Sequence, residues 1–201
     1  MAFHTWLTFL IAAALLLIIP GPTILLVIGQ SLGGGRRRAL PLVAGVALGD
    51  LTAMTLSLAG LGALLGASAA AFTLLKWIGA AYLVYLGLKL WRAPVEAAAV
   101  PPLKARAAFR QAYVVTALNP KSIAFFVAFV PQFITPESLF LRQATLLVAT
   151  FVGLAAINAL LYAMLAGHLS SLVRKPSVRR GFNRAGGTAL IGAGAALALR
   201  R

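Results

Sequence analysis

An all-α polytopic membrane protein, with six transmembrane helices arranged as a 3+3 inverted repeat, is the fold this sequence predicts. Three observations predict it. The 201 residues are 61% hydrophobic with a mean hydropathy of +0.95, against roughly 45–50% apolar residues in ordinary soluble domains. Apolar runs long enough to cross a bilayer recur, and six spans of about 20 residues consume about 120 residues and leave only loops. Finally, Lys and Arg concentrate in every second loop, as the positive-inside rule requires.

The first span covers about 4–30 and is interrupted by Pro20-Gly21-Pro22. Its opening residues, Met1-Ala2-Phe3-His4, carry no Lys or Arg, and its apolar run exceeds a signal core, so a membrane span is expected rather than a cleavable leader. The second span, about 39–65, carries Asp50, and the third covers about 71–91. The fourth, about 111–133, contains Asn119-Pro120-Lys121; the fifth, about 144–168, carries Asn158; the sixth, about 184–199, is short and rich in Ala and Gly. The loops after the first, third and fifth spans hold Arg36, Arg37 and Arg38; Arg92, Lys104, Arg106 and Arg110; and Arg174, Lys175, Arg179, Arg180 and Arg184. The intervening loops hold almost none, which puts the odd loops in the cytoplasm and both termini outside. Arg200 and Arg201 run against that rule.

The stretch 93–108 holds Pro94 and Pro101-Pro102 and most of the loop charge. It divides the chain into a first half (1–92), a cytoplasmic linker (93–110) and a second half (111–201). Three spans per half give the halves opposite orientation, the geometry of an inverted repeat. The two proline breaks lie about 100 residues apart, each in the first helix of its half.

Within the spans, proline removes a backbone donor and clashes with the preceding turn. Pro20, Pro22 and Pro120 are therefore expected to free the carbonyls of Leu16, Ile18 and Thr116, which need partners inside the membrane. Paired breaks in two halves point to a transporter's binding site, whereas a lone break reads as a kink. Asp50, one of three acidic residues in the chain, costs about 2.5–3.5 kcal/mol at a bilayer centre. Lys121 is its natural partner. Asp50, Asn119, Lys121, Asn158 and Pro20-Gly21-Pro22 all fall within about two turns of one depth. Helix N-termini at the breaks suit a carboxylate. Three roles stay open for the Asp50–Lys121 pair: a structural ion pair, contacts to the two ends of a zwitterion, or proton exchange, with Asp50 the proton carrier.

Other features have ordinary readings. Gly45-xxx-Gly49 and Gly62-xxx-Gly66 are spacings for close helix packing. Residues 36–38 read as a topology anchor against anionic lipid. The net charge of +15 follows from the loops, so nucleic acid is not an expected partner. His4, His168 and most Trp and Tyr residues fit the interfaces, while Gln30, Ser31 and Gln132 follow helix ends where an entrance would lie. There is no Cys, no metal-ligand cluster and no nucleotide or hydrolase motif. No enzyme activity, cofactor or metal is expected.

The motifs resemble those of a known family. Pro20-Gly21-Pro22-Thr23, the Gly35-Arg36-Arg37 loop, Gly45-xxx-Gly49-Asp50 and Trp77-Ile78-Gly79-Ala80-Ala81-Tyr82-Leu83-xx-Leu86-Gly87 are similar to the LysE-type amino-acid exporters. Leu118-Asn119-Pro120-Lys121-x-x-x-Phe125-Phe126, Pro131-Gln132-Phe133 and the tail 182–199 resemble its homoserine/threonine-resistance (RhtB) branch. Leu40-Pro41 and Gln111-Ala112-Tyr113 depart from the branch pattern, both at loop edges. The resemblance implies efflux of small neutral amino acids such as threonine, homoserine or leucine across the bacterial inner membrane, by proton antiport. One buried acid balanced by one buried base suits a zwitterion. A homodimer fits so small a transporter. Export of another small solute and a non-transporting membrane scaffold are the rival readings.

Overall fold

The computed structural model describes residues 1–32, 36–67, 69–93, 103–135, 139–173 and 175–199. Its described residues are helical throughout: α1 (Phe3–Ile18), α2 (Pro22–Leu32), α3 (Arg36–Ala67), α4 (Ala69–Trp91), α5 (Ala105–Ala117), α6 (Pro120–Ala124), α7 (Phe140–Val173) and α8 (Pro176–Leu199). After α6 the chain widens into a π-helical turn, Phe125–Phe129, and then tightens into a 3-10 turn, Val130–Phe133. Ala39–Gly60, Ala105–Phe133 and Phe140–Ala166 are long and apolar enough to cross a membrane, and α1 with α2 makes a fourth such unit if the bent pair is one span. Within α4 the apolar stretch is shorter, Trp77–Trp91.

Both expected breaks are present, and local chemistry explains each. Pro22 opens α2 at a position where its missing N–H costs nothing, and the axis bends by 54° between α1 and α2. At the second break Asn119 caps α6, its side-chain oxygen accepting from Lys121 N at 3.1 Å, with Pro120 at the first helical position. Here the run 105–133 stays one apolar unit.

The helices outrun the expected spans. α5 starts at Ala105 rather than 111, α7 runs Phe140–Val173 rather than 144–168, and α8 starts at Pro176 rather than 184. Hydropathy detects the hydrocarbon layer, but helices continue through polar residues such as Arg106, Arg110 and Arg180, which favour helix as well as Leu does. The expectations resting on the side chains of residues 36–38, on Gly62 and Gly66, on the linker stretch 94–102, and on His168, Arg174, Arg179, Arg200 and Arg201 lie outside the described residues and side chains.

Two close contacts organise the bundle. α3 lies on α5, where a Cβ added at Gly45 would sit 2.5 Å from Phe109 O and one at Gly49 2.8 Å from both Thr116 Cβ and Tyr113 O. α4 lies on α8 through Gly87, Gly187 and Gly194. Gly45-xxx-Gly49 thus serves internal packing. Gly49→Val is expected to cost about 1–3 kcal/mol through overpacking, read as a lower unfolding temperature in detergent. α7 packs on α1, α2 and α3. A ring cluster fills part of the core: Phe9 meets Phe133 edge-on at 5.3 Å, and Phe126 meets Phe151 at 4.8 Å.

Candidate functional site

The last carbonyls of a helix lack partners within it, and in hydrocarbon each must find one elsewhere. At the end of α1, four consecutive carbonyls are met by side chains from the other half of the chain. Lys121 Nζ donates to Leu16 O and to Ile19 O, both at 2.9 Å. Asn158 Nδ2 donates to Leu17 O at 3.0 Å, and the Tyr162 hydroxyl to Ile18 O at 2.7 Å. The prolines therefore do release Leu16 and Ile18. Thr116 O differs from expectation: it accepts from Asn119 N at 3.0 Å, because the chain tightens by one residue before Pro120 and satisfies itself.

Asp50 comes to the same place from α3. It is 2% exposed, its Oδ1 has no hydrogen-bond partner, and the Ser122 side chain hydrogen-bonds to the carboxyl. Lys121 acts on Asp50 as an opposite charge, while its hydrogen bonds go to the two carbonyls. Of the three roles open for the pair, a direct hydrogen-bonded ion pair is not the arrangement seen. Thr23, one residue into α2, ties the two breaks together: Thr116 Oγ1 and Asn119 Nδ2 both donate to its hydroxyl at 3.3 Å.

These groups surround a cavity of about 20 Å³, the scale of one water molecule. Gly21, Asp50, Asn119, Lys121 and Asn158 line it, together with Thr23 and Ser122. Pro20, Pro22 and Pro120 do not line it; they shape the breaks, and Pro22 and Pro120 are exposed on the outside of the bundle. A solute larger than water enters only when the helices part. Among the described residues no three His, Cys, Asp or Glu side chains come together.

Thr23, the Thr116 hydroxyl, Ser122, Tyr162 and the carbonyls of Leu17 and Ile19 are site groups that the sequence pattern does not single out, whereas the freed carbonyls of Leu16 and Ile18 follow from the prolines. Tyr162 carries a legible signal, four residues after Asn158 and so on the same face of α7. The hydroxyl residues carry none, since Ser and Thr are cheap in membrane helices. Gln30 is fully buried and accepts from Leu103 N at 3.0 Å, joining α2 to the start of α5 rather than lining an open entrance. Trp6, read as an interfacial residue, donates to Thr150 Oγ1 at 3.0 Å. Tyr162→Phe keeps the ring and deletes the donor to Ile18 O. Its expected cost is about 1–3 kcal/mol for the unpaired carbonyl, read as faster deuterium uptake in peptides covering the first break.

A family model described as "LysE type translocator" matches residues 14–201. The chain is 38% identical over 201 residues to an "Uncharacterized membrane protein" of Vibrio cholerae, covering 98% of each. It is 34% identical over 204 residues to the "Homoserine/homoserine lactone efflux protein" of Salmonella typhimurium, covering 100% of this chain and 99% of the relative. It is 33% identical over 158 residues to the "Leucine efflux protein" of Salmonella choleraesuis, covering 74% of each. No solved structure matches the chain.

Proposed function

The chain belongs to the LysE type translocator family, and from that premise we propose that it exports small neutral amino acids from the cytoplasm, driven by the proton gradient. It is a translocator and not an enzyme. The observation that carries the reading is the meeting of both breaks on one buried cavity that holds a carboxyl and an ammonium, Asp50 and Lys121. A zwitterion is neutral overall yet needs an opposite charge at each end, and this cavity offers one of each. Relatives named for homoserine, homoserine lactone and leucine efflux support the substrate class.

The substrate is held by Asp50, Lys121, Asn119 and Asn158 with the backbone at Gly21, while Pro20, Pro22 and Pro120 shape the breaks around it. Asp50 carries the coupled proton, because among the described residues it is the one acidic side chain on the cavity. Six spans arranged as an inverted 3+3 repeat, with halves 1–92 and 111–201 joined by a cytoplasmic linker, rock around the site. The helix pairing supports this: α3 lies on the broken helix of the second half, α7 lies on the broken helix of the first, and α3–α7 and α4–α8 pair like with like. The protein sits in the bacterial inner membrane with its basic loops inside, as a homodimer.

The test is release from cells lacking their own exporters. Fed with small peptides, cells producing the protein are expected to release one or a few neutral amino acids above empty-vector cells. Equal release for every amino acid tested sinks the reading and turns attention to other solutes or to a scaffold role.

A further inference from the structure

We propose that the main-chain carbonyls of Leu16 and Ile19 form a receptor for a primary ammonium group, and that Lys121 is its resident occupant until a substrate ammonium displaces it. The second half of that statement rests on the amino-acid export reading; the receptor itself does not. Leu16 O, in the last turn of α1, lacks its ladder donor because position 20 is proline, and Ile19 is the C-cap, its backbone already extended, so its carbonyl lies outside the helix ladder. The place is therefore set by the broken helix and not by the lysine that fills it. Lys121 Nζ reaches both oxygens at 2.9 Å.

An ammonium carries three donors, and two are used on these oxygens. A third acceptor borders the same cavity: Asp50 Oδ1, buried and without a hydrogen-bond partner. Lys121 Nζ, held on the two carbonyls, makes no hydrogen bond to that oxygen, which leaves a carboxylate oxygen beside the receptor for a donor the lysine does not supply. The neighbouring carbonyls of Leu17 and Ile18 are held instead by neutral donors, Asn158 and Tyr162. Only the Leu16–Ile19 place is occupied by a charge of the kind a substrate brings.

Gly21 leaves the flank of that place open. A Cβ there would lie in ordinary van der Waals contact, 3.5 Å from Lys121 Nζ and 3.6 Å from Cε, so alanine would fit and a longer side chain would compete for the space beside the ammonium. The cavity of about 20 Å³, the scale of one water molecule, has no room for a whole amino acid beside the lysine, so occupation by substrate is exchange. Once displaced, Lys121 is free to meet a carboxylate. The substrate class that follows is primary amines; N-acylated and quaternary compounds lack the donors.

The test uses the purified full chain in lipid nanodiscs. Thermal unfolding is compared in ethylammonium chloride and in equal tetramethylammonium chloride, which has no N–H donors. Ethylammonium is expected to raise the Tm of Lys121→Ala by about 2–4 °C over tetramethylammonium, the size of shift a ligand at several times its Kd produces. Wild type, where ethylammonium must first displace Lys121, is expected to move less than Lys121→Ala, and Lys121→Met, whose place is filled, is expected not to move. No ethylammonium-specific shift in Lys121→Ala, or an equal shift in wild type, overturns the proposal. If Lys121→Ala does not purify folded in plain buffer, it is prepared with either cation: recovery with ethylammonium alone supports the receptor, and recovery with neither overturns it. None of these readings measures export, so a wild type that releases no amino acid would sink the export reading and the displacement by substrate, and leave the receptor standing.

Discussion

Asp50→Asn is expected to abolish amino-acid release while leaving the protein in the membrane. Asparagine keeps the shape of the carboxyl and can still hydrogen-bond to Ser122, so the helices around it have no steric reason to move. What it removes is, among the described residues, the only acid on the cavity. Taking one partner from a buried charged arrangement costs about 3–5 kcal/mol, which at about 1.4 kcal/mol per tenfold is a loss of roughly a hundredfold or more. The loss applies twice over, to holding a substrate ammonium and to carrying a proton. The measurement is release from peptide-fed cells at matched membrane abundance, across a range of external pH. Any residual release by Asp50→Asn is expected to have lost the wild-type dependence on the pH gradient. Release at the wild-type rate with the same dependence would remove Asp50 from both roles.

Much of this site was legible because hydrocarbon makes polar residues expensive. Asp50, Lys121, Asn119 and Asn158 stand out in apolar runs, and the structure brings all four to one cavity. The breaks were legible because proline cannot continue a helix ladder, and they fall at Pro22 and Pro120 as the sequence pattern requires. What hydropathy could not give is who pairs with whom. Lys121 looked like a partner for Asp50, yet its hydrogen bonds go to Leu16 O and Ile19 O, because a pair of released carbonyls at a helix end is as demanding as a carboxylate. The prolines announce free carbonyls at Leu16 and Ile18, but nothing in the sequence says which side chain meets them. Nor do hydroxyls such as Thr23 and Ser122 announce themselves among dozens of small residues. Helix ends failed for a different reason: Arg106, Arg110 and Arg180 leave the hydrocarbon but not the helix, so charge marked the membrane edge and not the end of the element.

Lys121→Met is the substitution expected to cost most stability, and a double-mutant cycle divides that cost between its causes. Methionine has a similar length and no charge, so the space stays filled. Two carbonyls lose their donor, at about 1–3 kcal/mol each. Asp50 loses its opposite charge in a site that excludes water, at about 3–5 kcal/mol. Together these rival the whole stability of a typical domain, about 5–15 kcal/mol, so a steep fall in Tm or loss of folded protein is expected in nanodiscs. Adding Asp50→Asn removes the uncompensated carboxyl but leaves the carbonyls unpaired. The double variant is therefore expected to be more stable than Lys121→Met alone and less stable than wild type, with a coupling of about 0.5–3 kcal/mol in the cycle. Simple additivity would mean that the two charges do not sense each other, and would leave the carbonyl contacts as the whole of what Lys121 contributes. Full restoration to wild-type stability would mean the reverse: the carbonyls of Leu16 and Ile19 find other donors once the charge is gone, and the broken helix does not depend on the lysine to close.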